Sequence, residues 1–359
     1  MKVLLVLGTS AGGVGKHVQG LARLLSGAGH DVVVAGPPAV ADTLDLPGLV
    51  AVVPVPVGAR PHPVHDARAL ATLSAVARGA DVVHAHGLRA GALAVLAAAR
   101  SGVPVVVTVH NAPPTGRGLA AVYAGLERIV ARGSALVLGV SADLVTRMEH
   151  LGARGTGFAV VPAPAPRLPT ADRYAVHAEL GIDARTRLGV VVGRLAPQKG
   201  LDGLLDAHAE LTDLDLLTVV AGEGPLRARL QRRIDAEGLP VRLLGRREDV
   251  PDLLTAADVV VSSALWEGQP VWLQEALHAG AAIVATDVGG TGAVLGDAGI
   301  LVPPGDPVSL SRAVRDVVTH GGVRDDLRSK AVERSGELPT DADALAAAEG
   351  AYATVLGLL

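Results

Sequence analysis

The chain has 359 residues, 49% hydrophobic and 19% charged, enough for two domains of ordinary size, each with its own core. It holds no cysteine, which excludes disulfides, thiolate metal sites and cysteine nucleophiles, and no apolar run of about 18 residues, which excludes a membrane-spanning helix. The net charge of −4 is split: residues 1–168 carry 14 Lys+Arg against 8 Asp+Glu, and the rest carry 18 against 28. No dense basic run of the nucleic-acid kind occurs, so the basic first half points to an anionic lipid surface, a phosphorylated acceptor or plain scattered surface arginines.

The first apolar run, residues 3–7, follows a single basic residue and leads into glycines, so it reads as a buried strand and not as a signal peptide. A cytoplasmic protein is expected, peripheral at the inner membrane face if the basic half binds lipid. Further strand-length runs fall at residues 32–35, 50–53, 82–84, 105–109 and 136–140, each followed by a helix-length segment. Pro162-Ala163-Pro164-Ala165-Pro166 then interrupts the pattern with the stiff extended character of a linker. The alternation resumes at 188–192, 216–221, 241–244, 258–261, 283–286 and 300–302. Strands alternating with helices imply parallel sheets with right-handed crossovers. The fold class is therefore α/β, with two Rossmann-like, doubly wound parallel-sheet domains in series, 1–165 and 166–341. Residues 342–359, rich in Ala and Leu, predict a last helix that returns to the first domain. Aromatics make up only 2%, so both cores rest on Val, Leu and Ala.

Both halves open with a strand and a glycine loop holding one lysine. The first is Gly8-Thr9-Ser10-Ala11-Gly12-Gly13-Val14-Gly15-Lys16. A P-loop needs Gly where Ser10 stands and a hydroxyl where His17 stands, so Mg²⁺ loses a ligand and an NTPase is disfavoured. A dinucleotide fingerprint fails at Val18. What remains is general: Gly12 and Gly13 let the backbone approach a ligand ahead of a helix N-terminus. The second loop is Gly193-Arg194-Leu195-Ala196-Pro197-Gln198-Lys199-Gly200. The chain has only four lysines, and two of them lie in these loops. The planar fork of Arg194 and the compact charge of Lys199 suit one diphosphate held from two directions, and equally a surface turn with solvated cations. Ligands gather beyond the carboxyl ends of strands in open parallel sheets, so two such edges facing each other make one cleft.

His84 and His86 stand at one strand end and His110 at another, where imidazoles can donate to a phosphate or a sugar hydroxyl. Two His at i and i+2 without a nearby carboxylate set make a poor metal site, and none is expected. Residues 57–68 gather His and Arg with little acid and read as a mobile acceptor or membrane-facing loop, or as an ordinary surface loop. In Trp266-Glu267-Gly268-Gln269-Pro270-Val271-Trp272-Leu273-Gln274-Glu275 a helix opens near Pro270 and stops at Gly280. Glu267 then lies in the preceding loop and Glu275 inside the helix, with free backbone N–H groups between them. Such an end suits an anion flanked by hydroxyls; the plainer alternative is that acids favour a helix N-terminus.

In order and spacing, these motifs, together with Val82-Val83-His84-Ala85-His86-Gly87, Val219-Val220-Ala221-Gly222-Glu223-Gly224-Pro225 and Leu244-Gly245-Arg246, resemble the retaining GT-B-fold glycosyltransferases of family 4, the glycosyl transferases group 1 type. The resemblance covers nearly the whole chain and implies a GT-B fold, two Rossmann-like domains facing a cleft. It implies transfer of a sugar from a nucleotide-diphosphate sugar to an acceptor hydroxyl, with retention and without a metal or other cofactor. Arg194 and Lys199 would bind the diphosphate and offset the charge of the departing nucleotide. Glu267 and His110 would contact the transferred sugar and Glu275 the ribose. The rest of the donor site would be Gly12, Gly13, Gly193, Gly222, Gly245, Arg246, Gly268, Gln269, Pro270 and Val271, with Gly245-Arg246 beside the base. The partners implied are the donor, an acceptor lipid, glycan or small molecule, and an anionic membrane, with no nucleic acid. Gln269, Trp272 and Gly292-Ala293 depart from the commonest family form around the donor sugar. A nucleotide-sugar epimerase of the same architecture and a catalytically silent sugar-nucleotide sensor are the rival functions.

Overall fold

The computed structural model describes residues 1–9, 12–58, 60–112 and 117–358. Their contacts divide into two compact units, Met1–Pro162 with Pro339–Leu359, and Ala163–Leu338.

The first unit is built on a parallel sheet of β1 (Lys2–Leu7), β2 (Asp31–Gly36), β3 (Ala51–Pro54), β4 (Val82–His86), β5 (Val105–Val109), β6 (Leu136–Gly139) and β7 (Thr156–Phe158). The strand order is β3-β2-β1-β4-β5-β6-β7. β4 and β5 are buried along their whole length, because helices cover both faces of the sheet. That coverage lets apolar residues follow one another, as in Val82-Val83 and Val105-Val106-Val107, instead of alternating with polar ones. β7 is the strand that hydrophobicity does not announce: it has three residues, and its Phe158 is exposed.

The helix Asp341–Leu356 belongs to this unit, although it follows the whole second unit in the chain. It starts at a capping box in which Thr340 accepts from the Asp343 N–H and Asp343 accepts from the Thr340 N–H. Its Tyr352 is fully buried, and the hydroxyl meets His84 Nδ1 at 2.8 Å, while His84 Nε2 meets Thr108 Oγ1 at 2.7 Å. His84 is thus a satisfied core residue, tying β4, β5 and the terminal helix together.

The second unit carries β8 (Arg187–Val192), β9 (Leu216–Ala221), β10 (Val241–Gly245), β11 (Val259–Ser262), β12 (Ile283–Thr286) and β13 (Gly299–Val302) in the order β10-β9-β8-β11-β12-β13. One face packs Leu204, Leu205 and Val317, the other Leu254, Leu273 and Leu277. Asp258, at the mouth of β11, is buried and accepts from Arg173 at 2.7 Å, Arg187 at 3.0 Å and the Leu188 N–H at 2.9 Å. Burial alone would raise its carboxyl pKa; the hydrogen bonds from Arg173 and Leu188 and the two arginine charges outweigh that and hold it below the usual aspartate value.

Strand order reverses between β1 and β4 in the first sheet and between β8 and β11 in the second. At such a switch point the following loops diverge to opposite faces and leave a crevice beyond the strand ends. The segments that leave β1, β8 and β11 at these ends carry Gly12-Gly13, Arg194 with Lys199, and Glu267, and β4 ends on His86.

Candidate active site

In the second unit the segment after β8 runs through Gly193 into a 3₁₀ turn, Pro197–Lys199. A Cβ on Gly193 would stand 3.1 Å from Lys199 Cε, so glycine there is what lets the lysine side chain lie across the strand end. The Lys199 ammonium forms an ion pair with the buried carboxylate of Glu267. The backbones of both residues are pinned. Ser263 Oγ donates to the Lys199 carbonyl at 2.9 Å, the Leu265 N–H donates to Gln198 O at 2.8 Å, and the Gly290 N–H donates to Glu267 O at 3.1 Å. Gly289 has φ +52°, and a Cβ there would fall 1.7 Å from Glu267 O. Glycine at 289 is therefore part of what shapes the Glu267 loop, a dependence invisible in the sequence.

The helix after Glu267 spans Val271–His278, with Pro270 as N-cap and Gly280 at φ +62° beyond its end. Its first N–H groups have no partner within the helix. Glu267 precedes the helix and Glu275 lies within it, where it forms an ion pair with Arg167 at 3.5 Å. Arg194 and Lys199 line one small recess, of about 10 Å³, with Gly193, Ser262, Ser263 and Trp272. Lys199 is committed to Glu267, whereas Arg194 is exposed and has no ion-pair partner among the described residues. Gly222 lies against the same strand end. Its N–H donates to Gly245 O at 2.7 Å, and a Cβ on it would fall 1.9 Å from Gly193 O. Arg246, next along, is largely exposed and faces Glu248 at 3.8 Å. Gly268 is buried, and Gln269 and Val271 are partly exposed.

A roomier depression of about 630 Å³, lined by Gly200, Asp202, Asp206, Arg229 and Pro307, lies on the other side of the 3₁₀ turn. Its carboxylates are already engaged, Asp202 with Arg229, Asp206 with Arg233 and Asp306 with the Ser309 N–H and hydroxyl. The smaller recess, which brings two cations beside a buried acid, is the better equipped for chemistry.

In the first unit Gly12 caps the helix Gly13–Gly27, and nothing lies within 4 Å of a Cβ built on Gly12 or Gly13. Packing does not require glycine at either place, so both leave open room above the helix end. Ser10, on which the P-loop comparison turns together with His17, lies outside the described residues, as does Ala11. One turn into this helix, His17 meets the imidazoles of His86 and His110, with ring centroids 5.5 and 5.4 Å away. His86 Nδ1 and His110 Nε2 are 3.2 Å apart. His17 is partly exposed, but its Nδ1 is sealed from solvent without a partner, and so is His86 Nε2. Burial pushes the His17 pKa down to about 4, and burial with neighbouring imidazoles holds His86 and His110 well below the ordinary value. All three are neutral at pH 7.

The histidine pair offered by the sequence, His84 with His86, is divided by the structure. His84 goes to the core, and His86 goes to a trio completed from a helix and from the next strand. His17 enters the sequence reading only as the wrong residue after a lysine; its position four residues past Gly13, on a helix facing two strand ends, was the available signal. The segment 57–68 is also less loop-like than expected. The helix Pro63–Ala77 begins inside it, with Pro63 at the first position and Asp66 accepting from the His62 N–H at 3.0 Å and from Arg89 at 2.7 Å. Ala59 lies outside the described residues.

Comparison with known proteins adds to this geometry. Residues 12–164 match the model of a glycosyl transferase 4-like domain, and residues 172–334 match that of the glycosyl transferases group 1. The α-D-kanosaminyltransferase of Streptomyces kanamyceticus is 30% identical over 292 residues, 74% of either chain. A D-inositol 3-phosphate glycosyltransferase of Rhodococcus jostii (strain RHA1) is 30% identical over 268 residues, 67% of this chain and 59% of that relative's own length. Among solved structures, HepE of Anabaena in complex with UDP-glucose superposes with a TM-score of 0.81 over the full length of both chains at 20% identity.

Proposed function

The chain belongs to the group 1 glycosyl transferases and has the GT-B fold, and from that premise we propose that it transfers a sugar from a nucleotide-diphosphate sugar to an acceptor hydroxyl with the anomeric configuration kept. The observation that carries the donor class is the Lys199–Glu267 ion pair in a recess shared with the unpaired guanidinium of Arg194. As the bond from sugar to phosphate breaks, negative charge grows on the departing diphosphate and positive character on the sugar. Fixed cations aimed at the first and a fixed carboxylate aimed at the second lower the barrier without reorganising solvent. An ammonium has three donors, so Lys199 keeps Glu267 while offering a second N–H to phosphate.

Arg194 supplies a planar fork for two phosphate oxygens, and the first-turn N–H groups of the helix Val271–His278 add donors after Gly268. Glu275 exchanges Arg167 for the ribose hydroxyls. Gly222 and Gly245 leave space beside the base, with Arg246 over it, and His110 offers a ring nitrogen to a sugar hydroxyl. The leaving phosphate takes the acceptor's proton on the face it departs from, so no carboxylate nucleophile and no added Mg²⁺ or Mn²⁺ is required for this step. Relatives that are named as sugar transferases, a kanosaminyltransferase and a D-inositol 3-phosphate glycosyltransferase, support the transferase reading over a nucleotide-sugar epimerase. A thermal-shift screen with nucleoside diphosphates and their sugars tests the proposal. A diphosphate should raise the melting temperature of the wild type and not of Arg194→Ala. Equal shifts in both proteins, or release of nucleotide with an epimerised sugar and no transferred product, would overturn it.

A further inference from the structure

We propose, on the basis of the donor reading above, that Arg167 is a positioning residue for the donor: it holds the Glu275 carboxylate until a ribose takes that acid, and so sets how tightly a nucleoside diphosphate binds. The two acids assigned to donor contact are both in ion pairs, and the pairs differ in kind. Lys199 and Glu267 both come from loops at the strand ends, and the ammonium has donors to spare, so this pair persists when a phosphate arrives. Glu275 pairs with Arg167, which directly follows the proline-rich run 162–166 and belongs to no helix or strand.

The backbone around Arg167 is pinned to the second unit on both sides. Three residues on, Thr170 donates its N–H and its hydroxyl to the buried carboxylate of Asp252, at 2.6 and 2.9 Å. Ala163 and Ala171 pack against the core face that holds Leu254, Leu273 and Leu277. Between these anchors Ala165, Pro166 and Arg167 line one hollow of about 20 Å³ with Leu254, Glu275 and His278, room for about one water. Burial lowers the His278 pKa and keeps that ring neutral at pH 7, so Arg167 is the cation among the described residues lining the hollow. The anchored backbone keeps the guanidinium at hand, and only its side chain has to move.

A carboxylate has two oxygens, and the neighbouring hydroxyls of a ribose present two donors that occupy both. The guanidinium lies 3.5 Å from Glu275 Oε1, close enough for an ion pair but beyond the range of about 2.7–3.2 Å for an N–H···O hydrogen bond. Hydroxyls that approach to bonding distance therefore displace it. The Arg167 side chain is 55% exposed, so the displaced guanidinium turns into water, and the pair it leaves is a weak one. Breaking such a pair lowers a binding constant by about two- to fivefold. A ligand without a ribose has no claim on Glu275 and leaves the pair intact.

The full chain is titrated by calorimetry with UDP, ADP and GDP and with inorganic pyrophosphate, which has no ribose. In Arg167→Ala the ratio of nucleoside diphosphate to pyrophosphate affinity should rise about two- to fivefold over the wild type. The loss of a positive charge acts on every diphosphate and cancels in that ratio. The same substitution made on Glu275→Gln should bring no tightening, because the acid that Arg167 holds is gone. Where pyrophosphate binds too weakly to titrate, this cycle decides alone, and circular dichroism verifies folding of each variant. A ratio that stays level or falls, or a tightening that persists on Glu275→Gln, would overturn the role of Arg167 and leave the donor reading standing. No binding of any of the three nucleoside diphosphates by the wild type would overturn both.

Discussion

The two units place polar groups at the same point of the same architecture, beyond the strand ends flanking a switch in strand order, and handle them in opposite ways. The first unit gathers imidazoles and keeps them neutral by burial. The second gathers ammonium, guanidinium and carboxylate groups, pairing Lys199 with the buried Glu267 and leaving Arg194 exposed. A neutral nitrogen can bond to a hydroxyl, whereas a fixed charge can answer a charge that appears during reaction. One fold thus offers two chemistries because burial decides protonation before any ligand arrives.

That contrast breaks most sharply at Lys199. Lys199→Ala removes a cation and strands the buried Glu267, and turnover should fall about 10³-fold, against less than about tenfold for Gln269→Ala. Equal losses in kcat would mean that the charge is not what matters at this strand end. The next largest effect tests whether charge also holds the second unit together. Asp258→Asn should cost about 3 kcal/mol in urea denaturation at pH 7, because it leaves Arg173 and Arg187 facing a neutral amide. The lowered Asp258 pKa gives the sign with pH. Its stabilisation is complete above the unfolded carboxyl value of about 3.9 and is lost as pH falls through the lower folded one. The wild type should therefore weaken in acid through this group, and the difference between the two proteins should shrink toward pH 2.

Glycine sharpens the comparison further. Gly289→Ala should destabilise by about 2 kcal/mol, since its Cβ meets Glu267 O and its φ is left-handed. Gly12→Ala, with open space around it, should stay within about 0.5 kcal/mol in the same chemical melt. A moderate effect, between those of the two glycine variants, belongs to the buried imidazoles of the first unit. Tyr352→Phe leaves His84 Nδ1 without its partner and should cost about 1–2 kcal/mol by urea titration, with no change in donor-induced thermal shift.

Much of the scaffold was legible from residues alone. Unbroken apolar runs such as Val3–Leu7 reveal buried strands, and Pro270 with Gly280 brackets the helix that follows Glu267 and contains Glu275. The run 82–84 was read two residues short, because His86 carries no apolar signal though it is buried in the strand. β7 escaped because a three-residue edge strand has too little pattern to detect.

The amino-acid sequence by itself determined the alternation of strands and helices, the chemical character of each loop and the family resemblance, since these follow from local periodicity, from residue chemistry and from motif order. Only the tertiary structure decided that Lys199 faces Glu267, that Glu275 reaches Arg167, that Gly289 must be small, and that His17 joins His86 and His110 while His84 does not. Those partners come from different strands and helices, and strand order, register and helix packing fix which side chains meet. No spacing along the chain encodes them.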